Sequence, residues 1–193
     1  SLDESPLSAK TIQLLLSATM ASEEDPVDSM EIAIFVAAKK LGALQELEKW
    51  KLVKEYGFHE LHKYVSHVWQ KEDGELTISV KGAVESVIAL CRITSQQRES
   101  LLSANSKMGE NALRVLAVAR GSLMQIEDRA HDENGLEFVG LLGFADPLRY
   151  SVKASVEEAQ KAGVRVIMLT GDHKATAHSI AHQAAIEHGS VVA

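Results

Sequence analysis

The sequence predicts an α/β chain in two parts: an α+β region with an antiparallel sheet and flanking helices over residues 1–146, and a fragment of a doubly wound parallel-sheet domain over residues 147–193. Three observations carry that expectation. Val65 to Trp69 and the alternating Leu76, Ile78 and Val80 flank Asp73-Gly74, the pattern of a hairpin with one buried face. Asp146-Pro147 separates two architectures, and beyond it helix, strand and helix follow in the order from which parallel sheets are wound. With 46% hydrophobic residues in 193, the chain holds enough apolar side chains for one sizeable core or two small ones.

Taken in order, Leu7 to Thr19 sets leucines and isoleucine at helical spacing behind Pro6, which a first helical turn tolerates. Asp25-Pro26 ends that pattern. Met30 to Leu41 resumes it with Ile34, Ala37, Ala38 and Leu41 on one face, and Gly42 stops it. Leu44 to Tyr56 reads as a third amphipathic helix ending at Gly57. After the hairpin, Val84 to Cys91 and Gln96 to Met108 read as helices, and Leu113 to Ala119 and Glu137 to Ala145 as strands. The last is nearly all apolar, which predicts a central place in the sheet. Ser151 to Ala162 is an amphipathic helix with Val152, Val156 and Ala159 inward, closed by Gly163. Val164 to Leu169 is a β-branched-rich strand, and Ala175 to Glu187 a final helix.

Charge and composition narrow the function. A net charge of -7 and a pI near 5.6 argue against a nucleic-acid or anionic-membrane surface, which needs a basic face. Cys91 stands alone, so it forms no internal disulfide, and its apolar neighbours suggest a small buried side chain in a reducing compartment. No apolar run approaches the ~20 residues that span a bilayer, and Ser1-Leu2-Asp3-Glu4 lacks the flank and centre of a signal peptide. Any transport path is expected outside this chain, with no direct membrane insertion.

Several residues could carry chemistry. Lys81 follows a strand and precedes the small Gly82 and Ala83, so a ligand could approach the backbone beside a cation; alternatively Lys81 is a solvated strand-end lysine. Asp28-Ser29-Met30-Glu31 has the spacing of a capping box, a pattern in which both acids serve a helix start. Strand alternation turns Arg114 to the face opposite Leu113 and Val115, where it needs an anion or water. Thr170-Gly171-Asp172 directly follows a strand, where ligands of parallel sheets bind. His178 and His182 stand one helical turn apart, but no Cys or Glu completes a metal set, and solvated histidines are the expectation.

Lys81-Gly82-Ala83-Val84-Glu85, then Asp146-Pro147-Leu148-Arg149, then Met168-Leu169-Thr170-Gly171-Asp172, in this order and spacing, resemble the cytoplasmic head of the P-type cation-transporting ATPases. Valine replaces the family's proline at position 84. The resemblance runs from roughly residue 10 to 188 and is strongest from Asp146 to Ala181. It implies an ATP-binding N domain over residues 1–146 and part of a phosphorylation domain, haloacid-dehalogenase-like and Rossmann-type, over 147–193. It also implies roles for residues. Phe58 would stack on adenine, with Lys63 as a cation at its rim, although Glu60 stands where some relatives have arginine; the alternative for Phe58 is a place in the core. Glu31 would accept from the adenine amino group, with Asp28 either cap or contact. Lys81, Gly82 and Arg114 would meet the nucleotide. Asp146 would lie near the ribose and Arg149 near phosphate, while Thr170, Gly171 and Asp172 would face the phosphorylated aspartate on closure.

That aspartate lies in Asp-Lys-Thr-Gly-Thr in the family, and no aspartate here precedes lysine. The later Thr-Gly-Asp-Gly segment associated with Mg²⁺ is also missing. The resemblance therefore implies a chain that binds ATP with Mg²⁺, has no catalytic residue of its own and does not hydrolyse ATP alone. Its partners would be the remaining phosphorylation, actuator and transmembrane domains of a pump, at the cytoplasmic face of a membrane. The alternative is a stand-alone nucleotide-sensing or partner-binding module of the same fold without catalysis. A dehalogenase-like phosphatase reading fails for want of the same aspartate.

Overall fold

The computed structural model describes residues 6–58, 60–111, 113–145, 148–169 and 174–186. Its sheet has five strands in the order β1 (Trp50–Tyr56), β2 (Tyr64–Lys71), β3 (Leu76–Gly82), β4 (Leu113–Leu123) and β5 (Glu137–Ala145). The pairs from β1 to β4 are antiparallel, and helices flank the sheet, as the α/β expectation required. In chain order the described helices are α1 (Pro6–Met20), α2 (Ser29–Lys40), α3 (Leu44–Leu47), α4 (Val84–Ala89), α5 (Ser95–Glu110), α6 (Arg129–Asp132), α7 (Val152–Lys161) and α8 (Lys174–Gln183), of which α1 and α4 pack on β3. The chain forms two compact units, residues 1–102 with 116–142 and residues 103–115 with 143–193.

In the first unit the hairpin sits at the centre. Glu75 N–H donates to Asp73 Oδ1 at 3.0 Å, and Gly74 takes φ +90°, a conformation that glycine adopts without a side-chain clash. This turn sets the β2–β3 register and buries Val68, Ile78 and Val80 completely, each worth about 1.5–3 kcal/mol of apolar burial. Helix α1 packs on α2, α3 and β3, with Leu15, Ala38 and Ala43 at the middle of that contact. Trp69 Nε1 donates to the Met20 carbonyl at 2.7 Å, fixing the end of α1 to β2. Helix α4 adds Val84, Val87 and Ile88 to the core.

In the second unit, α7 buries Val156 and ends as expected at Gly163, whose φ is +79°. The Gly163 and Val164 amides bond back to Gln160 and Ala159 at 2.9 Å, closing the helix with a Schellman-type turn. Gln160 Nε2 reaches the Ala185 carbonyl at 3.1 Å, and Ala177, Ala181 and Ala184 are buried.

Three sequence expectations need correction. Leu44 to Tyr56 is not one helix: α3 stops at Leu47 and β1 begins at Trp50. Burial along β1 alternates regularly, but Val53 takes an outward position and Lys54 an inward one, so the apolar pattern of the sequence does not mark the strand; the pairing with β2 also shifts register between Leu52 and Lys54. Strand β5 lies at the sheet's edge and not at its centre. Its apolar residues serve α1 instead, since Leu142 packs on the Leu15–Ala38–Ala43 cluster and Leu14 lies against Gly140. Val164 to Leu169 forms no strand, and Val164, Ile167 and Leu169 are exposed, because no neighbouring strand among the described residues pairs with them.

Candidate functional site

The first unit assembles its candidate site at the end of β3. Lys81 is only 5% exposed, and so is no solvated strand-end lysine. Its Nζ donates to Glu31 Oε1 at 2.5 Å and to Ser22 Oγ at 2.7 Å. Glu31 reaches it from the first turn of α2, which Asp28 caps by accepting from the Met30 and Glu31 amides at 2.9 and 3.3 Å. Asp28 thus has the capping role, while Glu31 points to a cation 50 residues away in sequence. Ser22, just past α1, donates its hydroxyl to the Ala18 carbonyl at 2.8 Å. Burial lowers the Lys81 pKa, and the Glu31 carboxylate opposes that shift.

The connection from β1 to β2 brings the predicted aromatic to the same strand end. Phe58 is 64% exposed, so it is not core and presents its ring to solvent. Lys63, also exposed, takes φ +57°, and its carbonyl accepts from the Ala83 amide at 2.9 Å. That bond sets the backbone of Lys63 beside Lys81-Gly82-Ala83. Gly82 lets two segments meet closely: the place of a Cβ there is filled by the Lys63 carbonyl and by Tyr64. A larger residue at position 82 would push the connection away.

Sequence reasoning missed the polar cluster on α6. Asp132 and Glu133 are fully or nearly fully buried, and their partners lie 67 to 76 residues earlier on β1 and β2. Tyr56 Oη donates to Asp132 Oδ2 at 2.6 Å, and the Glu127 amide to Oδ1 at 3.0 Å. Burial acts to raise the Asp132 pKa, but these hydrogen bonds hold it below the usual carboxylate range. Tyr64 Oη donates to Glu133 Oε2 at 2.7 Å, and Ser66 Oγ donates to Oε1. Burial and Glu133 push the Tyr64 phenol up to about 12. Arg129 completes the cluster, its Nε bonding both Glu133 oxygens at 2.9 and 3.0 Å. The only available sequence signal was a pair of adjacent acids between two strands, which by itself reads as solvent-facing.

The other predicted residues are placed separately. Arg114, on β4 and within the second unit, is exposed while Leu113 and Val115 are partly buried, the alternation the sequence implied. Arg149 is exposed before α7, and its carbonyl accepts from the Val152 amide at 2.9 Å. Asp146, Thr170, Gly171 and Asp172 lie outside the described residues. Among the described residues no helix is long and apolar enough to cross a membrane.

An exposed aromatic ring, docked through backbone onto a segment holding a buried cation–carboxylate pair, suits a planar ligand that carries both an amino group and negative charge. Comparison with known proteins bears on which ligand. The family model for the P-type ATPase cytoplasmic domain N matches residues 27–151. The sodium/potassium exporting P-type ATPase cta3 of Schizosaccharomyces pombe is 34% identical over 169 residues, covering 81% of this chain and 16% of that protein. Calcium-transporting ATPase 1 of Bacillus cereus is 32% identical over 200 residues, covering 95% of this chain and 22% of that protein. Calcium-transporting ATPase 1 of Lactococcus lactis is 35% identical over 168 residues, covering 80% and 19%. The chain therefore spans about a fifth of the length of the curated relatives it matches.

Proposed function

The chain belongs to the P-type ATPases, matching their cytoplasmic domain N, and from that premise we propose that its first unit binds ATP, with the base on Phe58 and the polar groups of Lys63, Lys81 and Glu31 around it. The observation that carries this reading is the docking of the Phe58–Lys63 connection onto Ala83, which couples an exposed aromatic ring to the Lys81–Glu31 pair. Glu31 accepts a hydrogen bond from Lys81, and its second oxygen would accept one from an adenine amino group. Arg114 and Arg149, both exposed on the second unit, each carry a guanidinium fork of the kind that suits phosphate oxygens, the role the family resemblance implies for them. Mg²⁺ would come with the nucleotide and neutralise part of its phosphate charge.

In this reading residues 1–146 are the ATP-binding domain and 147–193 the start of the phosphorylation domain, with Asp146, Thr170, Gly171 and Asp172 at the junction and phosphate-facing loop. The exposed Val164, Ile167 and Leu169 support it, since apolar residues of that kind call for the flanking strands of a larger domain. The chain would then act within a cation pump, beside its remaining phosphorylation, actuator and transmembrane domains at the cytoplasmic face of a membrane. It would hold ATP for transfer to an aspartate outside this chain, without hydrolysing it alone.

Amide-resolved NMR titration with MgATP tests this, using Phe58→Ala and Lys81→Gln alongside. Saturable shifts around Phe58, Lys63 and Lys81, requiring higher MgATP to saturate in either variant, are expected. An absence of shifts at millimolar MgATP would overturn the reading.

A further inference from the structure

The β1–β2 ladder ends at the pair Tyr56 and Ser66, so Gly57 is the first residue beyond it and the connection carrying Phe58 starts with an unladdered carbonyl. Arg129 Nη1 donates to that Gly57 carbonyl at 3.0 Å. Its Nη2 approaches the carbonyl of Tyr64, where the chain re-enters β2, at 3.5 Å. The guanidinium carbon also lies over the Tyr64 ring, 5.1 Å from its centroid. One side chain thus bridges both ends of the connection. Its own orientation is set from behind by Glu133, 3% exposed, which Tyr64 and Ser66 of β2 hold in turn.

We propose that Arg129, oriented by Glu133, is a positioning residue for nucleotide binding that clamps the two ends of the β1–β2 connection and so presents Phe58 and Lys63 in a fixed geometry. This rests on the reading of Phe58 as the base-stacking residue. An exposed aromatic on an untethered connection would lose conformational freedom on binding, and tethering both ends beforehand removes part of that loss. Only a planar fork with several donors serves here, because the same side chain must bond a carboxylate through Nε while its two terminal nitrogens face two carbonyls. Lys63 adds a second restraint: its left-handed backbone is held by the Ala83 amide, one residue before the Tyr64 carbonyl that Arg129 approaches.

The test compares wild-type chain with Arg129→Lys, Glu133→Gln, Phe58→Ala and the double variant Phe58→Ala with Arg129→Lys. MgATP affinity is measured by calorimetry, amide hydrogen exchange without nucleotide, and the unfolding transition as a control of fold. In Arg129→Lys the cation remains beside Glu133 but cannot span both carbonyls. We expect cooperative unfolding, exchange around Phe58 and Tyr64 faster by about tenfold, and MgATP affinity weaker by about tenfold. Glu133→Gln should move both readouts in the same direction. In the Phe58→Ala background, Arg129→Lys should cost clearly less affinity than in the wild-type chain, only the share carried by Lys63 remaining. Wild-type affinity in Arg129→Lys, or an equal loss with and without Phe58, overturns the clamp while leaving the nucleotide site standing. An unchanged affinity in Phe58→Ala overturns the base-stacking reading, and the clamp's role falls with it. Loss of cooperative folding in both Arg129→Lys and Glu133→Gln would make the pair a determinant of the fold and overturn its positioning role.

Discussion

Replacing Glu31 by glutamine isolates the energetics of the buried pair. The Lys81 and Glu31 side chains are 6% and 15% exposed, so water offers little compensation once the carboxylate is gone. Removing one partner of a buried ion pair costs about 3–5 kcal/mol. Two features reduce that here: Ser22 Oγ remains as an acceptor for Lys81 Nζ at 2.7 Å, and Lys81 can relieve its isolation by losing its proton. A loss of about 2–3 kcal/mol at neutral pH is expected, which in urea, at a slope of roughly 1–3 kcal/mol per molar, lowers the unfolding midpoint by about 0.7–3 M. The pH dependence sharpens the test. Burial puts the folded-state pKa of Lys81 below its ordinary 10.5, so between the two values the unfolded chain binds more protons and stability rises with pH. Glu31 opposes that lowering; without it the window opens at a lower pH. The deficit of Glu31→Gln should therefore narrow as pH climbs toward about 10. A loss under about 1 kcal/mol, or a deficit constant from about pH 6 to about pH 10, would refute the argument.

Three further outcomes follow from the same coordinates. Gly82→Ala sets a methyl where the Lys63 carbonyl and Tyr64 already lie, so it should lower stability by about 1–3 kcal/mol in thermal melts and shift the amides of Lys63 and Ala83; unmoved amides would contradict the close approach. His67 is 2% exposed with its Nδ1 unbonded, and burial lowers its pKa below 6.5, so folding binds fewer protons there and stability falls as pH drops through 6.5. His67→Gln should make that acid decline shallower by up to about 1.4 kcal/mol per pH unit, and an unchanged acid limb in stability–pH curves would argue against it. Burial pushes the Cys91 thiol up to about 11, so a disulfide reagent at pH 8 should modify the folded chain about 100-fold more slowly than the urea-unfolded one, and equal rates would count against this.

Where pattern and local physics coincide, the fold was legible in the residues. Asp73-Gly74 between the two strands and Gly163 behind an amphipathic run are local signals, and both elements form where they were read, although β2 and β3 bury both faces where the alternation predicted one. Trp50 to Tyr56 escaped because its burial alternates with the wrong residue types: Val53 faces outward and Lys54 is half-buried, its Nζ bonding the Glu127 carbonyl at 2.7 Å. Strand β5 misled in the other direction, since an apolar strand can be covered by a helix as well as by neighbouring strands. At the site, Lys81 could be singled out from its glycine neighbour, but its burial and its pairing with Glu31 and Ser22 depend on contacts 50 and 59 residues distant. Arg129, Asp132 and Glu133 were invisible for the same reason. Charged residues on a short helix look solvent-bound until the strands they bond are known.

The strand order carries a kinetic consequence. Each strand hydrogen-bonds to the next in sequence, so the sheet requires no crossover, and its pairings can close one after another as the chain lengthens. The β2–β3 hairpin needs only Tyr64 to Gly82 and can form on the microsecond scale, about 1–10 μs for such elements. Residues 103–115 are different, because their compact unit is completed by residues 143–193. During synthesis at about 5–20 residues per second, that segment waits seconds for its partners while the hairpin is already paired. The central hairpin is thus the template on which the later strands arrive.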